Sequence, residues 1–228
     1  MTKRILIIAA HPDDEVLGCG GTIARYAKEG QDVFIAILGE GITSRYESRD
    51  QADKKALREL HEKSLSVGKY LGTKEVYSFD FPDNRFDTIP LLDIVKKIES
   101  LIEKIKPDTI FTHHIGDLNI DHSITFRAVL TATRPVPECP VKSLYTFEIP
   151  SSTEWAFAQM SHAFSPNFFV DIKDMLNDKV KAMALYDDEI RLFPHPRSIE
   201  SIKNHAMNWG TVVGVSAAEA FEMIRMIK

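Results

Sequence analysis

The sequence predicts an α/β protein of three layers, a mostly parallel sheet with helices on both faces. Short apolar, β-rich runs alternate along it with longer segments of helical period. Strand–helix–strand succession implies right-handed crossovers, which make neighbouring strands parallel. The polar clusters of the chain also fall just after the strands, beyond the carboxyl ends where such sheets carry their sites.

The elements follow in order. Arg4 to Ala10 reads as a buried strand and Gly20 to Lys28 as a helix. Val33 to Leu38 is a second strand. Asp50 to Leu71 is a long helix with Leu57, Leu60, Leu65, Gly68 and Leu71 near one face. Val76 to Phe79 is a short strand, and Ile89 to Ile105 a helix whose stripe is Leu92, Val95, Ile98, Ile102 and Ile105. Pro107 ends it, and Thr109 to Thr112 is the fourth strand. Asp121 is expected to cap a helix that Arg134-Pro135 stops near Thr133. Arg134 to Pro140 is a loop. Leu144 to Phe147 and Phe168 to Val170 are later strands; Lys173 to Tyr186, Ser198 to Asn208 and Ala217 to Ile227 are expected as late helices.

With 228 residues, 44% of them hydrophobic and 27% charged, the chain suits one domain with a sizeable core, spanning 1–228. A net charge of −5 argues against nucleic-acid binding, which favours a basic face. The N-terminal apolar run, Ile5 to Ala10, is too short for a signal peptide, and no run approaches the ~20 apolar residues of a membrane helix. Cys19 and Cys139 make neither a disulfide pattern nor a metal spacing, so a reduced, cytoplasmic protein is expected.

The chemistry concentrates in two clusters. His11-Pro-Asp-Asp-Glu15 follows the first strand, and Asp117-Leu-Asn-Ile-Asp-His122 follows the fourth and opens a helix. A run of acids before a helix has a plain explanation in the helix dipole. Two such clusters on one rim of a parallel sheet point instead to a cation. A catalytic zinc takes three protein ligands and keeps one position open. His11, Asp14 and His122 supply that number, leaving Asp13 free beside the metal to take a proton from bound water, whose pKa falls to roughly 7. Gly18, Gly20 and Gly21 do not make G-x-G-x-x-G, and three carboxylates would repel a pyrophosphate; the glycines are read as letting the helix pack close to the sheet.

Ala10-His-Pro-Asp-Asp-Glu15, with Gly18, Gly20-Gly21 and the later Asp121-His122, resembles the PIG-L/LmbE family of zinc-dependent N-deacetylases acting on N-acetylglucosamine-type groups. The resemblance spans most of the chain; Phe193-Pro-His-Pro-Arg-Ser198, Gly210 and Ala218-Glu-Ala-Phe221 also look family-like. It implies a Rossmann-like, LmbE-like fold, Zn2+ or another divalent transition metal on His11, Asp14 and His122, and Asp13 as general base. Asn119 stands where the family often has a histidine that steadies the intermediate or protonates the leaving amine. Asparagine donates a hydrogen bond but delivers no proton as an acid. Asp13 then shuttles the proton, or His114, His195 or Glu148 supplies it, while Asp121 orients a neighbouring imidazole.

Arg45 and Arg197 are candidates to grip a hydroxyl or phosphate of the substrate, together with His114, Glu148 and His195 at favourable positions. His61, His162 and His205 read as structural or surface residues, Trp155 and Trp209 as packing. The implied partner is a small amino-sugar substrate, with no nucleic acid and no membrane, and a homo-oligomer left open. Two alternatives stand beside the deacetylase: a metal-dependent hydrolase of another amide or a phosphoester, and a non-catalytic nucleotide-binding module.

Overall fold

The first strand, β1 (Arg4–Ala9), shows how one sequence builds two cores. Successive side chains of a strand point to opposite faces. Ile5 and Ile7 join an apolar cluster with Leu17, Ile23, Leu60, Val67, Met183 and Ile202, while Leu6 and Ile8 join another with Ile98, Ile102 and Val129. The helices therefore sort by face. α1 (Asp14–Lys28), α2 (Lys54–Leu71), α5 (Leu176–Leu185) and α6 (Ile199–Val213) cover one side, and α3 (Leu91–Ile105) and α4 (Ile120–Ala132) the other. This computed structural model describes residues 2–157 and 162–228.

Between the layers lies a seven-stranded sheet of β1, β2 (Asp32–Gly39), β3 (Glu75–Phe81), β4 (Thr109–His113), β5 (Ser143–Phe147), β6 (Phe168–Asp171) and β7 (Ala218–Met226), in the order β3-β2-β1-β4-β5-β7-β6. The strand pairs from β3 through β5 are parallel; β7 is antiparallel to both its neighbours. The strand order reverses between β1 and β4, and the crevice at such a reversal is where open α/β sheets bind ligands. His11 and His113 come to that crevice from its two sides.

Several expectations are corrected. Ala217 to Ile227 is not a helix but β7. Its Ala, Glu and Met favour helix intrinsically, yet it fills the slot between β5 and β6, pairing with both and burying Phe221. Tertiary pairing there overrides a propensity of tenths of a kcal/mol per residue. The helix expected from Asp50 starts at Lys54, because the Asp53 side chain accepts from Lys55 N at 2.8 Å and caps it. On that helix Ser64 and Val67 are buried where Leu65 was expected, and on α3 Leu92 is exposed while Ile94 and Leu101 are buried. Asp121 does not cap α4; Asn119 does, its Oδ1 accepting from Asp121 N at 2.9 Å. α1 begins at Asp14 rather than Gly20, and breaks at Cys19, whose φ of −150° and ψ of 25° are not helical.

The glycines after the acidic loop act in packing. A Cβ on Gly18 would lie within 2.9 Å of three ring atoms of Phe147, and one on Gly21 within 2.9 Å of three side-chain atoms of Ile172. Only glycine lets α1 lie this close to the sheet and to the segment after β6. No helix among the described residues is long and apolar enough to cross a membrane.

Candidate metal centre and cleft

Three atoms that accept hydrogen bonds or bind metals converge at the end of β1 and the start of α4. His11 Nδ1 lies 3.4 Å from Asp14 Oδ2, His122 Nε2 lies 3.3 Å from the same oxygen, and the two ring nitrogens are 3.3 Å apart. A tetrahedral ion with bonds of about 2.05 Å has ligand–ligand edges of about 3.3 Å. The triangle therefore has the size of one face of a zinc-type tetrahedron. Asp14 Oδ1 is buried with no hydrogen-bond partner among the described residues, as expected of a carboxylate whose counter-charge is an ion. The residues fit a divalent cation.

Around the triangle each imidazole is steered by a carboxylate. His11 Nε2 faces Asp121 Oδ2 at 2.9 Å and Asp83 Oδ1 at 3.2 Å, which turns Nδ1 towards Asp14. His122 Nδ1 faces Asp117 Oδ1 at 3.1 Å, turning Nε2 the same way. Asp121 is fixed in turn by Phe86 N at 2.9 Å, and Asp117 accepts from Asn119 N, Thr153 Oγ1 and Ser152 Oγ. Such partners set the ring orientation and raise ligand basicity.

The electrostatics favour positive charge here. Burial opposes protonation of His122, but Asp14 and Asp117 outweigh it and lift its pKa to about 9. Burial likewise opposes ionisation of Asp14, yet the charge of His122, with hydrogen bonds from His11 and His122, holds it well below the usual carboxylate range. Asp117, against its own burial, is brought down to about 2 by His122 and Ser152. A field that draws protons onto imidazoles draws a divalent cation in their place.

Asp13 stands beside this cluster in the opposite condition. Burial pushes its pKa up to about 7, with Arg197 opposing and Asp14 adding to the rise. Arg197 Nη1 donates to Asp13 Oδ2 at 2.8 Å, and Arg197 Nε donates to Ser151 Oγ at 2.9 Å. Asp13 N donates to Glu15 Oε2 at 3.1 Å, and Tyr186 Oη to Glu15 Oε1 at 2.7 Å. The Asp13 backbone has φ 102°, a conformation that L-residues seldom take and that clusters at functional sites. Ile42 and Asn84, at φ 48° and 54°, line the same cleft, and Ser151, at φ 72°, accepts from Arg197 behind it.

The cleft holds about 170 Å³ and is bounded by His11, Asp13, Ser44, Arg45, Asn84 and Arg197, among others. Arg45 grips Glu189 through Nη2 at 2.5 and 2.8 Å, and its side chain is half exposed at the cleft edge. Asn119 also lines the cleft, but its Nδ2 donates to Asn84 Oδ1 at 3.1 Å while its Oδ1 caps α4.

Four residues expected to face substrate are employed otherwise. Both ring nitrogens of His114 are engaged, Nδ1 with Glu222 at 2.7 Å and Nε2 with the His162 carbonyl at 2.8 Å, and the residue is buried. Glu148 turns away to His205 and Trp209, at 2.8 and 2.6 Å. His195 lies outside the cleft wall, accepting from Arg197 N at 3.0 Å with its ring edge-on to Trp155. Arg197 reaches the cleft but is committed to Asp13 and Ser151.

Sequence reasoning also missed contributors. Asp83 follows β3 on the same rim, and the strand-end rule that located the other clusters could have found it. Glu189 and Tyr186 come from a stretch near 186–189 that carries no local signal. His113 accepts from Ala10 N at 2.8 Å, stacks on His122 with centroids 4.0 Å apart, and is kept neutral by burial and by His122 beside it.

Comparison with known proteins comes to the same place. A diacetylchitobiose deacetylase of Thermococcus kodakarensis is 26% identical over 200 residues, 82% of this chain and 70% of that one. The solved N,N'-diacetylchitobiose deacetylase of Pyrococcus horikoshii superposes with a TM-score of 0.78 at 20% identity, covering 98% of this chain and 84% of that one. The 4-carboxy-2-hydroxymuconate hydratase of Pseudomonas putida KT2440 superposes with 0.76 at 18% identity, over 100% and 99%; these two likenesses show the fold alone. The PIG-L family model, described as GlcNAc-PI de-N-acetylase, matches residues 6–133, more than half of the sequence and the stretch that carries His11, Asp13, Asp14 and His122. The chain belongs to the PIG-L family.

Proposed function

We propose that the protein is a metal-dependent hydrolase that removes the acetyl group from an N-acetylglucosamine-type sugar or sugar conjugate. The observation that carries this reading is the triangle of His11 Nδ1, Asp14 Oδ2 and His122 Nε2, with edges of 3.3–3.4 Å, beside a buried Asp13 held by Arg197. Family membership and a relative named as a diacetylchitobiose deacetylase support the amide and the sugar. The fold alone does not, since a hydratase shares it.

His11, Asp14 and His122 would hold the metal, and two imidazoles with one carboxylate suit zinc. Bound there, a divalent cation supplies a Lewis acid for the acetyl carbonyl and a water acidic enough to attack at neutral pH. The chain's own groups do the rest. Asp13, buried beside the triangle, takes a proton from the attacking water and can return it. Arg197 keeps its carboxylate aimed and lowers the cost of its charge. Asn119 carries no proton to give, so Asp13 also protonates the leaving nitrogen as the C–N bond breaks, releasing acetate and the free amine. Asp117 and Asp121 keep the two imidazoles turned to the metal. Ser44, Asn84 and Arg45 face the cleft with the polar atoms a sugar's hydroxyls require.

The test is acetate release from a panel of N-acetylglucosamine compounds (free sugar, sugar phosphates, nucleotide sugars, glycosides, the N-acetylated disaccharide). Chelated protein is assayed before and after zinc is returned. Zinc-restored release is expected, reduced about 10²–10⁴-fold in Asp13→Asn, the usual contribution of a general base. Silence across the panel from protein that binds zinc tightly overturns the amino-sugar reading.

A further inference from the structure

The loop bearing Asp13 and Asp14 leads into a broken helix. At Cys19 the α1 backbone leaves helical φ/ψ and kinks, parting the first turn, which carries Asp14 and Glu15, from the rest. A break in a buried helix strands backbone groups that must find partners elsewhere. Here the partners are side chains from the far end of the chain. Lys179, on α5, donates through Nζ to the Leu17 carbonyl at 2.8 Å. Glu219, on β7, accepts from Gly21 N at 2.9 Å and Thr22 N at 2.7 Å. The two side chains meet, Nζ to Oε1, at 2.6 Å, with Lys179 5% and Glu219 4% exposed. A Cβ on Gly20 would sit 3.3 Å from Lys179 Cγ, so the lysine stem crosses the helix where that residue has no side chain.

A buried ion pair can be mere filling, and a well-packed apolar pair often serves stability as well. The connection to the site argues for more. The Leu17 backbone is bonded on both sides: its carbonyl accepts from Lys179 Nζ, and its N–H donates to the Asp13 carbonyl at 2.9 Å. Val16 N donates to that same carbonyl at 3.0 Å. One residue, Leu17, thus separates Lys179 from the backbone of Asp13, whose φ of 102° needs outside support. Neither Lys179 nor Glu219 lines the cleft.

We propose that Lys179 and Glu219 are positioning residues, a splint across the break in α1 that holds Asp13 and Asp14 in register with the metal and the cleft. The proposal rests on the reading of His11, Asp14 and His122 as metal ligands. Its test measures zinc affinity, which does not depend on acetate release.

Chelated wild-type, Lys179→Met and Ile98→Ala proteins are titrated with Zn2+ against a chelating indicator, at a temperature where circular dichroism shows each folded. Ile98→Ala opens a hole in the other core and serves as a control for lost stability alone. Lys179→Met is expected to bind Zn2+ about 10- to 100-fold more weakly, the range of outer-shell changes at metal sites. It should lower kcat more than it raises KM. Ile98→Ala is expected to lower Tm and leave zinc affinity unchanged. Glu219→Gln, which keeps the volume and one acceptor, carries the comparison if Lys179→Met does not fold; it too should weaken zinc binding. Unchanged zinc affinity in the folded variants, or a loss equal to that of Ile98→Ala, overturns the proposal, as does failure of both to fold. Wild-type protein that binds zinc but releases no acetate sinks the deacetylase reading and leaves the affinity comparison standing. Wild-type protein that binds no zinc sinks the metal reading and the splint with it.

Discussion

Residues 6–133 and the residues beyond them contribute to the same cleft in different ways. The first stretch holds every atom of the candidate ligand triangle, the carboxylates that steer it, and Asp13. The later stretch holds none of these. It supplies Arg197 for the Asp13 side chain and Ser151 for Arg197, Tyr186 for Glu15, Ser152 and Thr153 for Asp117, and Lys179 and Glu219 for the break in α1. The atoms of the candidate triangle come from two short loops at a strand-order reversal. Groups that hold them in place come from wherever the fold brings a chain past. The family model matches the first stretch and stops before the second.

If that division is right, substitutions in the two stretches should separate by what they change. The largest effect belongs to a ligand. Asp14→Asn should weaken zinc binding by more than about 100-fold, beyond what outer-shell changes produce, and abolish zinc-restored acetate release. An unchanged zinc titration would break the distinction at its root.

A support of the general base comes next. Arg197→Met should leave zinc affinity near wild type and lower kcat/KM about 10- to 100-fold, as a change one shell out does. The sign of the accompanying pH effect follows from the charge. Arg197 lowers the Asp13 pKa, so its loss lets burial raise that pKa further. The acid limb of the kcat/KM profile then moves to higher pH, because the base must be ionised. A limb that stays or moves to lower pH contradicts the assignment.

The smallest effect lies away from the metal, where β5 meets β7. Burial opposes protonation of His114, but Glu222 and the His162 carbonyl raise its pKa; Glu222 is lowered by the same bond, against its own burial. The raised histidine stabilises the fold fully below its unfolded pKa and loses that contribution as pH climbs through the folded one. The lowered glutamate contributes above its unfolded pKa and loses it as pH falls through the folded one. The pair therefore matters most between about pH 4.5 and pH 6.5. Urea unfolding of wild type and His114→Leu should differ by more at pH 5.5 than at pH 9, by about 1 kcal/mol or less. An equal difference at both pH values would remove the ion pair from the account, and zinc binding should not change at either.

Much of the fold could be read directly. β1, β2, β4 and β5 announce themselves as apolar β-rich runs because they are buried on both faces, and α3 announces itself by its stripe. β7 misled because its composition favours a helix while its place, between β5 and β6, requires a strand. A single residue's propensity is small beside two rows of backbone hydrogen bonds. In the site, the residues within a few positions of one another were legible as a group. His114 and Glu148 both lie after strands, as expected, but their side chains turn to Glu222 and to His205. A strand's end fixes where a residue is, not which way its side chain goes.

What the sequence determined by itself was the alternation of elements, hence the mostly parallel sheet, and the two acidic, histidine-bearing loops at the carboxyl ends of its strands. Both follow from local rules: hydrophobic period, turn chemistry, and the short spacing that a metal's ligands need. What only the tertiary structure decided was the holding of Asp13 by Arg197, of Glu15 by Tyr186, and of the broken α1 by Lys179 and Glu219. Those partners lie 184, 171, 162 and 197 positions away along the chain. A buried polar group must be satisfied, but nothing local says by which residue, and only the closed fold makes that choice.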